Sequence, residues 1–107
     1  MKFNSQICTS REQSERLLAL GVKPETADMY WVNHLDLWMP VMLLYEDRPL
    51  DNNDIPAWSL HGLIEMVLRY ILIMGVSFSW NEDAYEKVIG IIEHQIKEGY
   101  FKKEYLV

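Results

Sequence analysis

Three histidines and one cysteine have the widest chemical range in this chain, and their spacing limits what they could do. His61 and Glu65 stand four apart in "HGLIE", so on a helix their side chains share a face. Such a pair can supply two metal ligands, but a zinc site needs a third and usually a fourth, and no HExxH-type partner is present. An exposed ion pair is the plainer reading. His34 and Asp36 are two apart in "HLDLW". On a strand they would point the same way and could serve as an acid–base pair; in a turn they are chance neighbours. Glu93 and His94 fall on the polar side of a helix and read as solvated. Cys8 stands just ahead of a helix whose dipole could lower its pKa, and the plainer reading is a small buried apolar group. With a single cysteine, no intramolecular disulfide and no thiolate zinc site within one chain can form. There is no nucleophile elbow, phosphate-binding glycine loop or dinucleotide fingerprint. Catalysis has no residue to attach to, so no catalytic residue, cofactor or metal is expected.

The elements that must position these residues are marked by turn chemistry and periodicity. "TSRE" fits a capping box, with Thr9 as N-cap and Glu12 three residues on. The helix it starts should run from about Ser10 to Leu20 and stop at Gly21, with a solvated first turn. Pro24 to Asp28 should form one short helical turn. From Met29 to Glu46 the chain is aromatic and branched, and Tyr30, Val32 and Val41 to Tyr45 read as strand. "NHLDLW" would connect the strands, and Pro40, which cannot donate to a ladder, should begin the second strand or lie on an edge. Asp47 to Asp54 is a loop.

"DIPAWSL", from Asp54 to Leu60, raises the question of whether it holds a site or only starts a helix. Pro56 biases Ile55 toward an extended backbone, Ser59 is a good N-cap, and Trp58 can fold back over the first turn as a staple residue does. Leu60, Leu63, Ile64, Val67, Leu68 and Ile71 then make one buried stripe. Gly62 weakens the first turn a little. The helix ends either at Met74, with Gly75 as its stop, or near Tyr70. Val76, Phe78 and Trp80 alternate with serines, which reads as strand from Val76 to Trp80. In the last helix Asn81 is the expected N-cap, Glu82 and Asp83 lie in the first turn, and Gly99 is the stop. Tyr100, Phe101, Tyr105 and Leu106 should dock the tail.

Composition removes several functions. Half of the 107 residues are apolar, which argues against disorder. No apolar run approaches the length of a membrane span, and "MKFNSQICTS" lacks the apolar core of a signal peptide, so a cytoplasmic protein without membrane contact is expected. Sixteen acidic residues against ten basic ones give a net charge of −6. Nucleic-acid binding draws its affinity from lysine and arginine, so no nucleic-acid partner is expected.

Three stretches are familiar together: "CTSREQSERLLALGVKPETADMYW" (Cys8 to Trp31), "DIPAWSL", and "AYEKVIGIIEHQIKEGYFKKEYL" (Ala84 to Leu106). They resemble a group of short uncharacterised proteins of gut Bacteroides and their resident phages. The first two are specific; the third is mostly an amphipathic helix. Val32 to Asn53 and Leu68 to Trp80 depart from the pattern. The resemblance implies a phage or mobile-element setting and carries over no reaction and no functional residue.

The expected fold is a single α+β domain over residues 1–107, with a small, mostly antiparallel sheet packed against two main helices plus an N-terminal helix. The expected function is a non-catalytic protein-interaction or accessory protein. Its partner is a protein, with a homodimer through a strand edge or an aromatic patch as one form. Trp31, Trp38, Trp58 and Trp80 are the compositional excess; the plainer reading is that they fill the core of a small domain, whereas an interface would place Trp38 or Trp58 on an exposed patch with His34 and Asp36. The alternative is a small enzyme or ligand-binding protein with a pocket around His34 and Asp36.

Overall fold

The computed structural model describes residues 6–34, 36–42, 54–79 and 82–107, with backbone alone at His34 and Met42. Helix α1 (Arg11–Ala19) begins one residue later than the capping box in "TSRE" implies. Ser10 is the N-cap: it accepts the Gln13 N–H, and the Gln13 side chain accepts the Ser10 N–H in return. Thr9 is not free to cap, because its hydroxyl accepts the buried Trp58 N–H at 3.0 Å and shares a hydrogen bond with Ser14. Nor is the whole first turn solvated. Gln13 and Ser14 are buried, with Gln13 donating to Glu86 at 2.9 Å. At the other end Gly21 takes φ 96°, the Val22 N–H returns to the Leu17 carbonyl, and Leu17 and Val22 meet in the core.

A 3-10 turn at Pro24–Thr26 leads into strands β1 (Met29–His34) and β2 (Leu37–Met42). The connection is far shorter than "NHLDLW". Only residues 35 and 36 separate the paired ends His34 and Leu37. Asp36 takes φ 64°, a left-handed backbone that aspartate tolerates better than most residues. The part of the second expected strand beyond Met42, and the Asp47–Asp54 loop up to residue 53, lie outside the described residues.

"DIPAWSL" starts with a strand of its own, β3 (Ile55–Ala57), which the sequence did not announce. Sheet order is β2-β1-β3, all antiparallel. In a hairpin with a two-residue loop the closing pair is hydrogen-bonded, and bonded and non-bonded pairs alternate from there. Trp31↔Pro40 is then a non-bonded pair, so the position where Pro40 lacks an N–H faces away from β1. By the same alternation Pro56, opposite Tyr30, also faces outward. Both prolines therefore sit on edge strands, where they break no ladder bond. Beyond β3, Thr9 covers the edge by donating its N–H to the Trp58 carbonyl at 2.8 Å.

Helix α2 (Leu60–Met74) starts at Ser59, whose hydroxyl accepts the Gly62 N–H, and runs on to Gly75 rather than ending near Tyr70. Its backbone is interrupted at Val67 (φ −125°, ψ 17°). The expected stripe holds at Leu63, Val67 and Ile71, with Leu60 and Ile64 partly buried against the same core; Met66 joins it, whereas Leu68 is exposed. The strand expected over Val76–Trp80 does not form at 76–79, and Trp80 lies outside the described residues. The polar backbone there is used locally instead. The Val76 N–H returns to the Ile71 carbonyl, the Ser77 carbonyl accepts Lys87 Nζ, and the Ser79 N–H donates to Glu82.

Helix α3 (Ala84–Lys97) is capped by Asp83, which accepts the Tyr85 and Glu86 N–H groups, and not by Asn81. Glu82 is thus outside the first turn. The Ser79 N–H and then Lys87 hold its carboxyl below the usual range. The tail docks as expected. Phe101 is buried, Lys23 donates to the Tyr105 carbonyl at 2.7 Å, and Val22 bridges Leu106; Tyr100 stays exposed.

The result is an α+β fold of three helices and a three-stranded antiparallel sheet among the described residues. Its main core gathers Leu17, Trp58, Leu63, Val88, Ile89 and Ile92 from the three helices and the start of α2. A smaller cluster of Cys8, Met29 and Ala57, with Trp31 against it, joins the sheet to the N-terminal segment. Thr9 links the two, and its loss should be felt globally. Thr9→Val keeps the shape but leaves the buried Trp58 N–H without an acceptor. Urea denaturation is expected to show a loss of about 1–3 kcal/mol, with Thr9→Ser losing less than half as much.

Candidate functional site

Of the residues grouped by the sequence as an interaction surface, Trp58 lies in the core, whereas Trp38 and Asp36 do not. Trp58 is 0% exposed, so the expectation of a surface tryptophan is corrected there. Its indole N–H donates to Thr26 Oγ1 at 2.9 Å, and its ring lies in the main core with Leu63, the pairing of a hydrophobic staple. It clamps the start of α2, as its place before the cap suggested. Trp38 is half-buried on β2 with the Arg11 guanidinium 4.9 Å from its ring centre, a cation–π contact. Trp31 donates its indole N–H to the Thr9 carbonyl at 2.8 Å.

His34 ends β1, whereas Asp36 lies in the turn and is exposed. An acid–base pair formed by alternation along one strand requires both on that strand, so the geometric argument for such a pair is gone. Glu93 pairs with Arg16 at 3.6 Å, and His94 is exposed on α3.

His61 and Glu65 form the exposed ion pair of the plainer reading, at 3.0 Å. They stand on one wall of an open depression of about 710 Å³, whose floor is the start of α2 and whose other walls come from Lys23–Asp28 and Tyr105. Asp28 dominates it. Its carboxylate accepts the Ser59 N–H at 2.8 Å and the Ser59 hydroxyl, and it lies at the positive end of the helix dipole. This explains Gly62. A Cβ there would stand 3.1 Å from Asp28 Oδ2, so any larger residue displaces the carboxylate. The depression holds a cap and an ion pair, not a set of converging free ligands. Among the described residues no three His, Cys, Asp or Glu side chains come together to hold a metal ion.

Cys8 is 2% exposed, and burial followed by the Asp28 charge pushes its thiol up to about 11. A helix-activated thiolate is thereby replaced by a neutral core group.

The most unusual surface is one the sequence reading passed over. Beyond Val67 the buried side of α2 narrows to Ile71. Leu72, Ile73 and Met74 are 71%, 71% and 62% exposed, with Leu68 and, past the turn, Phe78 also exposed. The helix is apolar on nearly every side here, although no helix among the described residues is long and apolar enough to cross a membrane. The signal lay in "YILIMGV", which as a tract is too short to span a bilayer. Read as the last turns of a helix, it is too apolar all round for one buried stripe. Leu37 and Met39 are exposed as well, on the outer strand β2. Comparison with protein-family models, with curated proteins and with solved structures gives no match.

Two outcomes check this description. A thiol with a higher pKa folded than unfolded supports the fold fully below its unfolded value of 9.0 and ceases to do so as pH rises through about 11. Stability is therefore expected to fall between those values, less steeply in Cys8→Ala than in the parent; Tyr30 and Tyr85, also raised by burial, supply the remaining slope. Gly62→Ala is expected to destabilise the native chain, because Asp28 is held by Ser59 and cannot give way. In an Asp28→Ala background the same change should stabilise by about 0.5–1 kcal/mol, the ordinary helix preference of alanine. Thermal or urea denaturation of the four proteins measures both signs.

Proposed function

We propose that the chain is a non-catalytic protein-interaction domain that works through the apolar end of α2. The observation that carries this is the exposure of Leu68, Leu72, Ile73 and Met74 along the last turns of α2, with Phe78, under the Lys87 ammonium, just past its stop. Scattered exposed leucines are ordinary, but large apolar side chains exposed in close succession at one helix end are a feature of contact surfaces. The partner surface is apolar and carries no charge that the contact would leave buried and unpaired. A net charge of −6 disfavours nucleic acid and anionic lipid as the partner and favours a protein. The resemblance to short Bacteroides and phage proteins would make such a domain an accessory or host-interaction protein of the cytoplasm. The pocket reading around His34 and Asp36 has no observation in its favour once the two residues stand on a strand end and in a turn.

A photo-crosslinking residue at position 72, with the exposed position 37 as control, tests the proposal in cells that express the chain. A discrete protein adduct is expected from position 72 and none from position 37. Absence of any adduct from position 72, or equal labelling from both positions, would count against an interaction surface at α2.

A further inference from the structure

Resting on that reading, we infer that Lys87 guards the contact surface: its ammonium fastens residues 77–79 as a strap and covers the Phe78 ring, and the strap must lift before a partner can use Phe78 together with the end of α2. Residues 76–79 leave α2 without forming helix or strand. Val76 is anchored, because its N–H returns to the Ile71 carbonyl and its side chain packs against the main core. Ser77, Phe78 and Ser79 are exposed, so burial does little to hold them.

What holds them is one cation, one turn into α3. Lys87 Nζ donates to the Ser77 carbonyl and to Glu82 Oε1, the latter at 3.0 Å, and it lies 5.2 Å from the centre of the Phe78 ring. Glu82 in turn accepts the Ser79 N–H. Among the described residues no other side chain bonds to 77–79. The Lys87–Glu82 pair is also the least exposed ion pair among the described residues, with both side chains 30% exposed, so water and salt weaken it less than the others.

The same cation opposes an apolar contact at Phe78. A partner surface that closed over the ring would take the ammonium out of water and give it no new acceptor. Once the strap lifts, the ammonium can turn to solvent on its flexible stem. Phe78 then stands free, four residues beyond the exposed Met74. The fastening and the contact therefore exclude each other, and the charge of Lys87 decides between them.

Lys87→Met keeps the length of the stem and suits a helix but removes the charge, whereas Lys87→Arg keeps the charge. Chymotrypsin acting on the native full chain, with fragments identified by mass, reads the lifting of the strap as cleavage after Phe78. Lys87→Met is expected to be cut there roughly two- to fivefold faster than the parent, the factor that a partly exposed ion pair is worth, and Lys87→Arg at the parent rate. Glu82→Gln, which lies outside the helices and spares α3 any change, should speed cleavage in the same direction; it carries the test if Lys87→Met fails to fold. The yield of the protein adduct from the crosslinker at position 72 should rise by a similar factor with Lys87→Met and not with Lys87→Arg. Equal cleavage of the parent, Lys87→Met and Glu82→Gln overturns the inference, because the charge then fastens nothing. Faster cleavage with an unchanged adduct also overturns it: the strap guards no contact, and the interaction surface stands. If position 72 captures nothing in any of these proteins, the interaction surface falls and its guard with it.

Discussion

Two hydrogen bonds between Thr9 and Trp58 hold parts of the chain that are far apart in sequence. The Thr9 N–H meets the Trp58 carbonyl, and the Trp58 N–H meets the Thr9 hydroxyl. Both groups are fully buried, so neither bond can be exchanged for water, and losing one strands a polar group in the core. Much of the fold is placed by this clasp. It fixes the residue before the α1 cap and covers the outer edge of β3. It also sets the Trp58 ring in the main core, where its indole reaches Thr26. The next residue, Ser59, then caps α2 under the Asp28 carboxylate. The N-terminal segment, the 3-10 turn, the sheet and two helices are thereby referred to one point.

Helix α2 consequently has two unlike ends. Its start is determined by the Ser59 cap, the Asp28 carboxylate and the Trp58 staple, and Gly62 is the residue that lets the carboxylate come close. Its finish, past the irregular backbone at Val67, keeps Ile71 in the main core and leaves Leu68, Leu72, Ile73 and Met74 exposed. The polar and sterically exact end makes a depression whose groups are already paired to one another. The apolar end leaves large side chains in water with nothing described against them. A site should carry free interaction capacity, and only the second end has it.

Much of this architecture was legible in the residues. Helix starts and stops are local events, decided by whether a side chain reaches an N–H two or three residues on, so the sequence located all three helices closely. Thr9 and Asn81 were each chosen on local chemistry, but Ser10 and Asp83 serve, and at Thr9 the competing demand comes from Trp58, 49 residues away. The strand expected at Val76–Trp80 fails for a similar reason. Its alternation is real, yet a strand needs a neighbour, and the backbone there is occupied by Ile71, Lys87 and Glu82. In contrast β3 has too few residues to show any period; it exists because β1 is there to pair with it.

By itself the sequence determined the class of fold, most of the places where the chain turns, the acidic character, and the absence of a recognisable catalytic motif. These follow from composition and from contacts within a few residues. Only the tertiary structure decided which aromatic residues are core, that His34 and Asp36 stand on a strand end and in a turn, and which side of α2 stays in water. Periodicity tells that a helix has apolar residues on several sides, but burial depends on what other segments bring against each side. Past Val67 the core covers one of them.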